Sequence, residues 1–259
     1  MDDVKDILKK LIENEITIEQ AEKLLKANMI EEVGELAKLD IFRRTRTGVP
    51  EVIYAQNKTP DVLIKIINSF LENNEYAIIS RYREEHEDII LKVYDNNNKY
   101  DIEKNELAKI ILVKKKSFKF EKKDGVVGII TAGSSDIPVA EEAREILKIM
   151  GCEVISSYDV GIAGMHRIFK PLSLMIQKGV NVLIVCAGME GTLPGVVAAL
   201  VDIPVIGVPI SSGYGLGASG EGALITMLQS CSPGLLVVNI DNGFGAAASA
   251  AIIANKMNK

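Results

Sequence analysis

Hydrophobic positions along this chain fall into two regimes. From Gly125 onward, VVGIIT (126–131), EVISSYDV (153–160), VNVLIVCA (180–187), IPVIGVPI (203–210) and GLLVVNI (234–240) form short, nearly continuous apolar runs. Between them lie EEAREILKIMG (141–151), HRIFKPLSLMIQKG (166–179), the shorter GVVAALVD (195–202) and EGALITMLQS (221–230), with GAAASAAIIANKM (245–257) at the end. Apolar runs that do not alternate predict strands covered on both faces. Strands alternating with helices predict a parallel sheet with right-handed crossovers.

The pattern before Gly125 is more polar and mixed. Thr17-Ile-Glu-Gln20 reads as a capping box that starts a helix near Ile18. Thr59-Pro60-Asp61 does the same for VLIKIINSFLE, with proline at the first helical position. YAIIS (76–80), KIILVK (109–114) and the residues flanking RRTRTGVPEVIY (43–54) read as strands. The expected fold class is therefore α/β: a doubly wound, flavodoxin-like, three-layer parallel sheet of five or more strands (residues 125–259), preceded by a small α+β N-terminal module (residues 1–120). Lysine-rich Lys114–Gly125 reads as the linker.

Composition sharpens this division. Of 21 glycines only Gly34 and Gly48 precede Gly125, and 23 of the 30 Lys and Arg precede it. A C-terminal half rich in Gly and Ala and poor in charge fits a surface hidden against copies of itself, hence a homo-oligomer; a large monomeric core is the alternative. A net charge of −5 without a basic block beyond Lys114–Lys116 argues against nucleic acid. No apolar run reaches membrane-spanning length and the start lacks a signal-peptide core, so the expectation is a cytoplasmic protein with no membrane partner. Three scattered cysteines make neither a disulfide framework nor a zinc site, and no metal ligands are expected.

Candidate chemistry sits where the C-terminal strands end. The first loop, Ala132 to Pro138, offers Gly133, Ser134, Ser135 and Asp136 to a phosphate or ribose, and the same residues suit helix capping. In the second, His166 can move a proton or orient a carboxylate, or can simply cap or fill the core; Arg167 can pair with a phosphate or with Asp159. His86, in REEHED, reads as solvated. In the third loop Glu190 stands between glycines (Gly188, Gly191) as a general acid or base, or as an acceptor for loop N–H groups. The fourth loop, from Ser211 through Gly213 to Gly220, contains GLGASG, a formal G-x-G-x-x-G, with Asp241 downstream at the spacing of a ribose-binding acid. It follows the fourth strand, however, and not the first, where that fingerprint belongs.

Cys231 should lie at the C-terminal end of the fourth helix, where the dipole disfavours a thiolate, and at the opposite edge of the sheet from the strand-end loops. Within one subunit it reads as structural; in an oligomer a neighbour could deliver it to those loops. Cys152 and Cys186 read as core. In the N-terminal module Arg43, Arg44 and Arg46 beside Gly48 can grip phosphate or form a solvated basic loop.

Gly133-Ser-Ser-Asp136, His166-Arg167, Ala187 to Gly195 and Pro204 to Pro209 together resemble the carboxyaminoimidazole ribonucleotide mutases and carboxylases of purine synthesis (AIR carboxylases) over about half the chain. Ala187–Gly191 (AGMEG), Ser230–Gly234 (SCSPG), Val238–Ala246 (VNIDNGFGA) and Arg43–Glu51 (RRTRTGVPE) more closely resemble a branch of that superfamily, the pyridinium-3,5-biscarboxylic acid mononucleotide synthases, over nearly the whole chain. These make the first intermediate of the nickel-pincer nucleotide of lactate racemase.

The closer resemblance implies that nicotinic acid adenine dinucleotide is carboxylated at carbon 5 of its pyridinium ring with CO2 (or bicarbonate as its source). Its phosphoanhydride is also hydrolysed, giving AMP and pyridinium-3,5-biscarboxylic acid mononucleotide. Cys231 would be the nucleophile, Glu190 would handle the ring proton and His166 a carboxylate. Gly133, Ser134, Ser135, Asp136, Arg167, Gly188, Gly191 and Gly213 would contact substrate, with Arg43 and Arg46 as further candidates for the adenylate half. It also implies a homo-oligomer, an octamer being one candidate size, and no tightly bound cofactor. Mg2+ would be held mainly by substrate phosphates. The alternatives are the purine-pathway mutase or carboxylase and a non-catalytic nucleotide-binding protein.

Overall fold

A computed structural model of the chain describes residues 4–27, 31–33, 37–40, 43–95 and 97–257. They form two compact units, one from residues 1–104 with 111–118, the other from 105–110 with 119–259.

In the N-terminal unit, helices α1 (Val4–Ile12) and α2 (Ile18–Ala27) precede a hairpin of β1 (Glu31–Val33) and β2 (Ala37–Leu39). The α2 capping box forms as expected: the Thr17 N–H donates to Gln20 Oε1 at 2.9 Å and the Gln20 N–H to Thr17 Oγ1 at 3.2 Å. A short helix α3 (Arg43–Thr47) leads to β3 (Ile53–Tyr54), α4 (Pro60–Asn73), β4 (Tyr76–Ser80), α5 (Glu84–Tyr94), β5 (Tyr100–Asn105) and β6 (Ile110–Lys115). Strands β3 to β6 make a four-stranded sheet in the order β3-β4-β6-β5, with β3 and β4 parallel. Leu63, Ile67 and Leu71 of α4 and Ile90 and Tyr94 of α5 pack with Ile79 and Ile111 of the sheet into one core. At the start of α4, Pro60 takes the first position but the Thr59 side chain makes no capping bond, so this start rests on proline geometry alone. The expected linker begins later than Lys114, because β6 continues through Lys115.

His86 corrects the reading of a solvated side chain: it is fully buried. Its Nδ1 accepts the Arg83 N–H at 3.1 Å, which leaves the ring proton on Nε2 to donate to the Lys58 carbonyl at 2.8 Å. A neutral imidazole thus ties the start of α5 to the loop before α4. The charged neighbours in REEHED hid this, since only one face of the helix meets the core.

The C-terminal unit contains β7 (Val126–Thr131), α6 (Ile137–Ile149), β8 (Glu153–Ser157), α7 (Phe169–Gln177), β9 (Val182–Ala187), α8 (Leu193–Ala198), β10 (Val205–Pro209), α9 (Glu221–Leu228), β11 (Leu235–Val237) and α10 (Gly243–Met257). The five strands are parallel, in the order β11-β10-β9-β7-β8. Counted from β7 this is 2-1-3-4-5, the flavodoxin order. Residues alternate between faces along each strand. On β9, Leu183, Val185 and Ala187 join Leu172 of α7, Val197 of α8 and Met227 of α9 in one core cluster. Helices α6 and α10 pack on each other and on β9 in the opposite layer. The expectation of five buried strands holds for β7, β9 and β10 but not for the edge strands β8 and β11, whose residues are partly exposed because each has a single neighbour. Cys152 and Cys186 are buried, as expected, and burial pushes both thiols up from their ordinary value.

Replacing His86 with Phe leaves the Arg83 N–H and the Lys58 carbonyl without their partner, and should lower stability by about 2–3 kcal/mol in urea unfolding. Unchanged stability would show that the imidazole does not hold this junction.

Candidate active site

In an open parallel sheet, ligand crevices form beyond the strand ends where the order reverses. Here that point lies between β7 and β9, and the loops that follow them meet at Asp136. A single turn of 3₁₀ helix (Ser134–Asp136) leads into α6 and turns the Asp136 side chain inward, leaving it 2% exposed. Its Oδ2 accepts the Gly133 N–H at 2.7 Å, and its Oδ1 lies 3.5 Å from the Ser212 hydroxyl in the loop after β10. Burial pushes the Asp136 carboxyl above its ordinary value, and the bonds from Gly133 and Ser212 pull it back only in part. Ser134 and Ser135 remain exposed, and Ser135 Oγ is 3.3 Å from Ser212 Oγ.

The third loop approaches this group because it has no side chain at Gly188. A Cβ there would stand 3.0 Å from Ser212 Oγ and 3.5 Å from Asp136 Oδ1. Gly191 is more constrained: its φ is +66°, and a Cβ would come within 2.7 Å of the Ala223 backbone in α9. Between them Glu190 is exposed. A Cβ at Gly213 would stand 3.2 Å from the Met189 nitrogen, so the third and fourth loops lie against each other.

His166 and Arg167 sit on a 3₁₀ turn (Ile162–Arg167) after β8, both exposed. Of the two partners considered for Arg167, the structure shows Asp159, at 3.0 Å. Both groups are well exposed, so the pair adds little stability. Asp241 does not lie free for a ribose: its Oδ1 accepts the Ser211 N–H at 2.9 Å. GLGASG is likewise no dinucleotide fingerprint, since Gly215–Gly217 form a 3₁₀ turn and Gly220, with φ +92°, opens α9.

Cys231 is exposed, three residues past the end of α9. The expectation that it is remote from the strand-end loops is corrected. It lines a groove of about 500 Å3 shared with Met165, Phe169, Gly191, Thr192 and Gly195. Helix α9 has eight residues, a length of about 12 Å; Gly191 rests on Ala223 near its start, and Thr226 and Met227 near its end line the groove. A single chain therefore brings the thiol to the groove that the third loop also lines.

The reading of Arg43 and Arg46 as a basic loop is also corrected. They lie on helix α3 and not in a loop, and have acidic partners inside their own unit: Arg43 with Glu51 at 2.8 Å and Arg46 with Asp40. The Arg44 guanidinium lies 5.8 Å from the centre of the Tyr76 ring. Among the described residues no group of three or more His, Cys, Asp or Glu could hold a metal ion. Ser212 is the site residue that sequence reading missed. Its signal was a Ser-Ser pair directly after a buried strand, masked by the glycines that follow.

Residues 126–259 match the family model AIR carboxylase, and residues 30–116 match the model LarB/PurE-like N-terminal domain. The chain belongs to the AIR carboxylase family. It is 49% identical, over 99% of its own length and 98% of the relative's, to an uncharacterised protein of Methanocaldococcus jannaschii. Two N5-carboxyaminoimidazole ribonucleotide mutases match about half the chain. That of Pyrococcus abyssi is 36% identical over 49% of this chain and 70% of its own, and that of Thermotoga maritima is 34% identical over 49% and 73%. Family membership carries carboxylase- or mutase-type chemistry in general and places it in the C-terminal unit, where Asp136, Glu190 and Cys231 lie.

Two measurements test this geometry. Gly191→Ala forces a Cβ against Ala223 at a left-handed position and should destabilise the chain by about 1–3 kcal/mol, read as a lowered melting temperature. An unshifted melting temperature would refute the close approach. For Asp136 the folded pKa lies above the ordinary value of 3.8, so its contribution is complete below the unfolded pKa and is lost as pH rises through the folded one. The stability of wild type relative to Asp136→Asn should therefore fall in urea titrations as pH rises past the ordinary value of 3.8, and a flat or rising difference contradicts the shift.

Proposed function

We propose that the chain carboxylates the pyridinium ring of nicotinic acid adenine dinucleotide at carbon 5 and hydrolyses the phosphoanhydride, giving AMP and pyridinium-3,5-biscarboxylic acid mononucleotide. The observation that carries this reading is the exposed Cys231 thiol in the groove lined by Gly191 and Thr192 of the third loop. An electron-rich aminoimidazole attacks CO2 unaided and needs no thiol, whereas an electron-poor pyridinium cannot. Addition of a thiolate to the ring forms a C–S bond and leaves a neutral enamine whose carbon 5 is nucleophilic. That carbon attacks CO2, loses its proton, and expulsion of the thiolate restores the aromatic ring. Glu190, exposed in the loop that borders the groove, is the proposed acceptor of the ring proton, and His166 is assigned to a substrate carboxylate.

The phosphoanhydride step calls for a cation such as magnesium, and the described residues offer it no cage of His, Cys, Asp and Glu. Substrate phosphates would be its principal ligands. The names of the relatives favour a second reading, mutase chemistry on a carboxyaminoimidazole ribonucleotide.

Mass spectrometry of the protein incubated with nicotinic acid adenine dinucleotide, bicarbonate and magnesium decides between them. AMP and a mononucleotide heavier by one carboxylate are expected. Unchanged dinucleotide together with turnover of carboxyaminoimidazole ribonucleotide would replace this proposal by the second. Cys231→Ala should abolish carboxylation while the chain stays folded, and Glu190→Gln should slow it by about 10²- to 10⁴-fold. Full activity of Cys231→Ala would rule out the ring adduct.

A further inference from the structure

We infer that Ser230 is a positioning residue for the Cys231 thiol, and that Gly195 of α8 is the notch that admits its hydroxyl. This role rests on the reading of Cys231 as the nucleophile. Cys231 lies beyond the end of α9, where the regular helix bonds no longer fix the chain. Ser230 supplies two bonds there: its N–H donates to the Met227 carbonyl at 3.3 Å, and its Oγ accepts the Ser232 N–H at 3.2 Å. The second bond spans Cys231 and closes a turn around it.

The Ser230 hydroxyl is also seated against α8. A Cβ at Gly195 would stand 2.8 Å from Ser230 Oγ and 3.7 Å from Ser230 Cβ, and Ser230 is the one described residue outside α8 that it would meet within 4 Å. Glycine inside a helix is less favourable than alanine, so α8 gains nothing locally from having it there. Its use is the space it leaves for Ser230 Oγ. Confined between the Ser232 N–H and the bare Gly195 backbone, that hydroxyl sets the turn, and the turn holds the thiol at the groove that Gly195, Ser230 and Cys231 all line. Attack on a bound ring needs the reacting atoms aligned at about 3–3.5 Å, and a misplacement of about 1 Å costs on the order of 10²-fold.

A double-mutant cycle of Ser230→Ala and Gly195→Ala in the full chain tests this role through two readouts. The kcat for carboxylation of nicotinic acid adenine dinucleotide reads the aim of the thiol in the proposed reaction. The rate of alkylation by N-phenylmaleimide, whose ring needs the groove, relative to iodoacetamide, which does not, reads it without that reaction. Each single variant should lower kcat and this rate ratio by about tenfold, with the iodoacetamide rate close to that of wild type. The double variant should lose no more than either single one, because without Ser230 Oγ the added Cβ makes only an ordinary contact at 3.7 Å. Ser230→Thr, which keeps the hydroxyl, should restore both values. Mass spectrometry should find the label on Cys231 and none on the buried Cys152 and Cys186. Labels on those two in Ser230→Ala would make Ser230 a support of the fold and overturn the positioning role. Losses that add in the double variant, or a rate ratio unchanged in both single variants, would overturn it as well. The expected ratios in a protein that leaves the dinucleotide unchanged would keep the positioning role and overturn the pyridinium reading.

Discussion

The apolar side chains of β7, β9 and β10 leave water only when helices cover both faces of their sheet, and that requirement sets where every loop of the C-terminal unit goes. Parallel strands need long crossovers, so each strand is followed by a helix that returns over one face or the other. All strand-end loops then gather at one end of the sheet. The reversal of order between β7 and β9 sends α6 and α8 to opposite faces and parts their loops. The cleft follows from the way the core is covered.

Within that cleft, small residues decide which groups can approach one another. Gly188 and Gly213 allow the third and fourth loops to close around Asp136, and Gly191 lets the third loop rest directly on α9. A carboxyl buried there is disfavoured in its charged form, and loop N–H and hydroxyl groups offset part of that penalty. Tying the carboxyl to loops distant in sequence limits their independent motion, which is what a site built on loops requires.

The same packing accounts for the position of Cys231. Because α8 and α9 are short, the distance from the third loop to the end of α9 is about two turns, and the intervening surface is an apolar groove rather than a filled core. Met165 and Phe169 stand exposed at its border. The N-terminal unit follows different rules: its arginines on α3 meet Glu51, Asp40 and the Tyr76 ring, and its one histidine is a buried neutral link between two helix starts.

Periodicity by itself determined the α/β class, the parallel C-terminal sheet, most helix positions and the α2 capping box, because these depend on neighbours a few residues apart. The strand-end placement of Ser134, His166 and Glu190 was legible for the same reason: a loop must follow each buried strand. Tertiary structure alone decided which of these side chains meet. The burial of Asp136, its link to Ser212 some 76 positions away, the burial of His86 in a charged stretch, and the groove shared by Cys231 and Gly191 all join segments distant in sequence. Helix and strand patterns record which face of an element leaves water. Which group from another element then stands opposite depends on the crossing of short helices over a twisted sheet, and local sequence carries no trace of it.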